Sequence, residues 1–170
     1  MATPAPDEKS TMVMIYTQNS LVRGEVVTRG SVRVSIWLRT DGAPHFFHLH
    51  NANMLFFGGG PVRSSNHTEI YIPTATVSAF HIAPPEQDPL DYDEDEKNRA
   101  EEIVSAAVGT FIFKGRIRFS AQSGLAASLE MTLNWMSMYD VEITNPNLPQ
   151  MPAIHVPMLL VNPSDVAFSL

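Results

Sequence analysis

The 170-residue chain has no cysteine. That single absence removes disulfides, thiol nucleophiles and thiolate metal sites together, and makes the chain indifferent to the redox state around it. No stretch approaches the roughly 18 apolar residues of a membrane span. The opening "MATPAPDEKS" lacks a basic segment followed by an apolar one, so no secretory signal is read there. The expectation is a soluble, cytoplasmic protein with no membrane partner. Basic charge is scarce too, with 11 Lys and Arg against 18 Asp and Glu for a net charge of −7. The 44% hydrophobic content is ordinary for a chain that folds around a core.

The acidic excess is local. Residues 84–107 hold nine acids (Glu86, Asp88, Asp91, Asp93, Glu94, Asp95, Glu96, Glu101 and Glu102) against Lys97 and Arg99, which accounts for the whole net charge. Residues 12–82 are slightly basic and residues 108–170 nearly neutral. Neither flank predicts a phosphate-binding surface from charge alone.

The flanks carry an internal repeat. "LVRGEVVTRGSVRVSIWL" (21–38) lies over "IFKGRIRFSAQSGLAASLEM" (112–131), matching Gly24 with Gly115, Arg23 with Lys114 and, after a two-residue insertion, Ser35 with Ser128. "FFHLHNANM" (46–54) lies over "WMSMYDVEI" (135–143), and "IYIPTATVSAF" (70–80) over "LLVNPSDVAFS" (159–169). Each copy reads as β. In "FIFKGRIRF", apolar residues at 111, 113, 117 and 119 alternate with Lys114, Arg116 and Arg118, the period of a strand buried on one face. Gly115 falls on the buried side and, like Gly24, allows a long strand to bend. Gly42 with Pro44, "GGGP" at 58–61 and "NPNLP" at 145–149 mark turns. Five short strands in about 70 residues, one bent at glycine, make a small barrel.

With a glycine after a basic residue ("VRGEV", "FKGRI"), strand ends "HNANM" and "YDVEI", and last segments "IYIPTATV" and "LLVNPSDV", the chain resembles the Sm-like small β-barrel. It looks closest to an uncharacterised bacterial domain of unknown function with that arrangement, here in tandem. The resemblance implies a mainly β fold of two small Sm-like (SH3-like) barrels, over residues 12–83 and 108–170. Residues 1–11 are expected to be disordered. It also implies assembly through edge strands, and RNA binding as an alternative. The family's RNA-binding pattern is not kept: neither copy has Asp followed by Met-Asn before the third strand, and Pro73-Thr74 and Asn162-Pro163 replace Arg-Gly before the last. The residues that would carry an RNA-binding alternative are the basic stripe Arg23, Arg29, Lys114, Arg116 and Arg118.

The segment 84–107 is expected to be an acidic linker. Its prolines exclude regular structure at the start, and acids followed by helix formers predict a short helix over 95–106. Asp91, Asp93, Asp95 and Glu102 occupy positions 1, 3, 5 and 12 of a calcium loop, but Glu96 stands where that loop needs glycine. The glycines at 58–60 lack the Lys-Ser/Thr of a phosphate loop and read as a flexible hairpin, and "NHT" at 66–68 has no secretory context. Ser35 and Ser128 read as strand-end hydroxyls bonded to backbone, with no base or oxyanion-hole motif nearby.

The three histidines of "APHFFHLHNANML" remain. On a strand, His48 and His50 share a face with Phe46 and Ala52, while His45 lies on the other with Phe47 and Leu49. His48 and His50 can therefore meet a shared ion, given a third ligand from His81, His67 or Glu69. In the other copy Ser137 and Tyr139 take their places, which favours structural histidines and no cofactor. The leading expectation is a non-catalytic module working through self-association or a protein partner. A metal-dependent enzyme built on His48, His50 and His81 is a further alternative.

Overall fold

The computed structural model describes residues 6–132 and 134–170. It is mainly β. Ten strands run β1 (Glu8–Tyr16), β2 (Ser20–Arg29), β3 (Phe46–Phe56), β4 (Arg63–Pro73), β5 (Ala79–Ile82), β6 (Arg99–Val108), β7 (Phe111–Ser120), β8 (Met136–Thr144), β9 (Ile154–Val161) and β10 (Ala167–Ser169). Two helices, α1 (Val34–Trp37) and α2 (Gly124–Met131), each join the second and third strands of a half. All pairings are antiparallel and form one sheet, in the order β10-β6-β7-β8-β9-β5-β1-β2-β3-β4.

That order corrects the expectation of two separately closed barrels: the hydrogen-bonded sheet is single and open, ending at β10 and β4. The halves follow one another without interleaving, and each has the same internal order, last strand, first, second, third, fourth. They join where β5 pairs β9, with Ala79 opposite Val161 and Phe80 opposite Leu160.

Alternation at this join separates two cores. Val13 and Ile15 of β1, Phe80 of β5 and Leu160 of β9 belong to a core with Val22, Phe47, Leu49 and Ile72. Their neighbours Met14, Tyr16, Ala79, Leu159 and Val161 belong to the other, with Phe111, Phe113, Met138 and Ile143. Successive strand residues point to opposite faces, so the central strands are buried on both. This is why "MVMIY" in β1 is apolar without interruption.

The repeat is visible in backbone detail. Arg23 lies opposite Asn53 and Glu25 opposite His50, so Asn51 and Ala52 together face Gly24. In the second half Lys114 lies opposite Glu142 and Arg116 opposite Tyr139, so Asp140 and Val141 face Gly115. Both are β-bulges, which bend and twist the strand. The bulge also corrects one assignment of faces. The extra residue reverses the parity beyond it, so Ala52 is buried in the core rather than beside His50.

Four other expectations are corrected. Residues 99–106 are strand, not helix. Ala100, Val104, Ala106 and Val108 turn toward the core side, and ten residues of pairing with β7 override the helix preference of Ala and Glu. The second half accordingly begins near Arg99, inside the expected linker of 84–107. Of the N-terminal segment 1–11, residues 1–5 lie outside the described residues, but Glu8 onward is β1, with Glu8 opposite Arg29. Ser35 and Ser128 sit on α1 and α2, not at strand ends. Ser128 Oγ donates to the Gly124 carbonyl (2.9 Å), whereas Ser35 Oγ is buried without a hydrogen-bond partner among the described residues. Neither helix was expected. α2 forms from "GLAASLEM", whose Leu125 and Leu129, four apart, pack on the second core.

Candidate functional site

Three surfaces carry the groups of interest. The first is the outer face of β3 and β4. Phe47 and Leu49 point into the core, which leaves His48 and His50 on the opposite side. Pairing then sets His48 opposite Tyr71 and His50 opposite Glu69. The two imidazole centroids are 4.3 Å apart, and Tyr71 stacks on His48 at 4.3 Å and 9°. Glu69 spans both histidines, with Oε2 3.2 Å from His48 Nε2 and Oε1 3.9 Å from His50 Nδ1. One donor atom from each of the three lies within 4.8 Å of the others, and this is the only group of metal-ligating side chains so close among the described residues.

Of the third ligands considered, Glu69 is the one in place. His67 bonds Ser65 Oγ at 2.8 Å. His81 is placed elsewhere, which corrects the His48, His50, His81 set: it lies on β5, buried, with its Nε2 3.0 Å from the Tyr16 hydroxyl. His45 precedes β3 and is separate from the pair.

The second surface is the equivalent face of the other half, at Ser137, Tyr139 and Met158. The linker covers it. Ser137 Oγ and Tyr139 Oη donate to the two oxygens of Asp91 at 2.7 and 2.6 Å, and the Arg39 guanidinium binds both Asp91 and Ser137. Tyr92 packs edge-on against Tyr139 at 4.7 Å, and Arg118 lies over the Tyr92 ring at 3.8 Å. Burial alone would raise the Asp91 carboxyl, but hydrogen bonds from Tyr139 and Ser137 and the Arg39 charge outweigh it and hold it below the usual carboxylate range. Burial, then the bond to Asp91, pushes the Tyr139 phenol up. Nearer the start of the linker, Arg33 pairs with Asp88 at 3.7 Å and donates to the Pro89 carbonyl. Sequence reasoning missed Asp91, Arg39 and Tyr139 as a unit. The available signal was the alignment of Ser137 and Tyr139 with His48 and His50. The calcium set is not assembled, since Asp91 is turned to Arg39 and Glu102 is in β6.

The basic stripe is not gathered into one surface. Arg116 pairs with Glu101 at 2.5 Å and with Asp140, and Arg118 lies 3.2 Å from Glu101. Lys114 shares β7 with them, while Arg23 and Arg29 are on β2, with four strands between in the sheet. Ser35, His81 and Asp88 line a small cavity of about 10 Å³, room for one water. They do not form a nucleophile and base: His81 Nδ1 bonds the Ile82 carbonyl at 2.8 Å and Nε2 meets Tyr16, so neither ring nitrogen is left for Ser35.

The third surface is the pair of open edges. An open groove of about 510 Å³ lies between Ile70 and Ile72 of β4 and the polar β1–β2 turn at Thr17 and Gln18. No helix among the described residues is long and apolar enough to cross a membrane. Comparison with family models, curated proteins and solved structures finds no match to the chain.

Proposed function

We propose that the chain is a non-catalytic self-assembly module, built as two Sm-like halves that share one open sheet, whose copies join head to tail through β4 and β10. The observation that carries this reading is the internal join. There the last strand of one half, β5, pairs with the fourth strand of the other, β9. The same two kinds of strand stand at the free ends of the sheet, β4 as a fourth strand and β10 as a last one. A second copy that sets its β10 beside β4 repeats a contact the chain already makes within itself. Unpaired edges are ready templates for such pairing. Because the two surfaces differ, the contact is heterologous and closes into a ring or continues as a filament.

Sedimentation over a wide concentration range tests this. The native chain should exceed the mass of one copy. Ser64→Lys with Thr68→Lys charges the β4 edge, and Ala167→Pro with Ser169→Pro removes donors from β10. Each variant alone should be a single chain, and a mixture of the two should form dimers and nothing larger, since only one complementary pair of edges survives. A native chain that stays single throughout, or an assembly indifferent to both variants, overturns the proposal.

A further inference from the structure

The two halves are equivalent in strand order, bulge and pairing, yet they differ at one matched face. In the second half, Ser137 and Tyr139 lie beneath Asp91 and Arg39, which satisfy their hydroxyls, and the cross-strand partner of Tyr139 is the apolar Met158. In the first half the matched positions are His48, His50 and Glu69. All three remain solvent-accessible, with side-chain exposures of 38%, 24% and 51%. A sheet face that needs only packing uses residues like those of the second half. This one instead carries two imidazoles and a carboxylate whose donors converge within 4.8 Å.

We infer that His48, His50 and Glu69 form a binding site for a borderline divalent transition metal of the zinc class, with two nitrogen ligands and one oxygen ligand. The chemistry of the donor set fits. Imidazole nitrogen and carboxylate oxygen bind such ions at about 2.0–2.2 Å, whereas calcium and magnesium prefer all-oxygen sites. A tetrahedral ion with those bond lengths needs its donors about 3.3 Å apart. The 3.2 Å between His48 Nε2 and Glu69 Oε2 already meets this, and His50, whose Nδ1 lies 3.9 Å from the other carboxylate oxygen, closes by side-chain rotation from the present 4.8 Å limit of the group. The backbone holds the rest: His48 and His50 share a face of β3, cross-strand pairing fixes Glu69 beside His50, and Tyr71 stacked on His48 orients its ring. Three protein ligands leave one position of the tetrahedron open to water or another ligand. His67, two residues from Glu69 on β4, is the nearest further imidazole in the sequence of that strand. The inference does not rest on head-to-tail assembly.

The test uses full-length protein stripped with chelator and titrated with cobalt(II), read by its ligand-field absorption, and with zinc(II) by calorimetry. One equivalent should bind, with the intense visible bands of a four-coordinate cobalt site. His48→Ala and His50→Ala should each abolish that spectrum, and Glu69→Gln should weaken zinc binding by more than about tenfold. The side chains are on the surface, so the melting temperatures of the variants in chelator should match that of the native chain and exclude misfolding as the cause. His67→Ser should keep one equivalent of saturable cobalt binding, and loss of binding in that variant would overturn the His48, His50 and Glu69 assignment. Absence of saturable binding, or metal uptake that survives loss of both His48 and His50, overturns the inference.

Discussion

Asn51 and Asp140, 89 positions apart, hold the same left-handed backbone, with φ of 49° and 48°. Each is the extra residue of a bulge opposite a glycine, Gly24 in one half and Gly115 in the other. Left-handed backbone is tolerated best by glycine, asparagine and aspartate, so both halves meet one geometric demand with suitable residues. The glycines serve a different purpose. Each lets the bulged strand approach closely.

The two approaches are unequal, and this predicts an asymmetric response. A Cβ on Gly115 would lie 2.8 Å from the Tyr139 carbonyl oxygen and 2.9 Å from Val141 Cγ2, while one on Gly24 would meet the Ala52 and Leu49 side chains at 3.1 and 3.2 Å. Gly115→Ala forces backbone to move and should cost about 1–3 kcal/mol, as overpacking does. Gly24→Ala meets only side-chain carbons first and should cost less. Urea unfolding of the two variants checks the order, and equal midpoints would contradict this account of the bulges.

The linker clamp gives a second prediction. Asp91 receives hydrogen bonds from three side chains, and removing its charge leaves Arg39 without its carboxylate. Asp91→Asn should weaken the clamp by about 1.5–2 kcal/mol, the lower part of the range for a hydrogen bond to a charged group because Arg39 is partly solvated. Amide exchange should quicken across residues 84–98 and stay unchanged in β3 and β4. Exchange that rises equally everywhere would mean that Asp91 supports global stability rather than the linker.

Much of the architecture was legible from pattern. Strict alternation in β7 announced its pairing, and the matched glycines announced the bend in each half, because both are local consequences of a buried face. What escaped depended on distant partners. β6 has the composition of a helix, and only its pairing with β7 makes it a strand. Ala52 was placed on the wrong face because a bulge changes parity without a composition signal of its own. The clamp joins Arg39, Asp91, Ser137 and Tyr139 across three segments of the chain, a contact no local period encodes. The histidine pair was legible as a pair from strand geometry. Its third member, Glu69, required the register between β3 and β4.

The last prediction concerns His81. Its ring is buried against Tyr16, and burial pulls its pKa down to about 4 despite the bond to the Ile82 carbonyl. The carbonyl can only accept, so Nδ1 carries the proton and Nε2 accepts from the Tyr16 hydroxyl. Protonating Nε2 would turn the Tyr16 hydroxyl from donor to acceptor, leave its proton without this partner, and bury a positive charge in the core. The folded state therefore binds fewer protons than the unfolded chain between the ordinary imidazole value of about 6.5 and about 4, so stability rises with pH across that window. The contribution of this histidine is complete above about pH 6.5. It is lost progressively as the pH falls, approaching roughly 3 kcal/mol by pH 4. Denaturant midpoints measured from pH 7 to pH 4.5 should fall steadily in the native chain. His81→Gln keeps an acceptor for Tyr16 but cannot titrate here, and should flatten that slope while lowering stability at neutral pH. A variant that keeps the native slope would place the titrating group elsewhere.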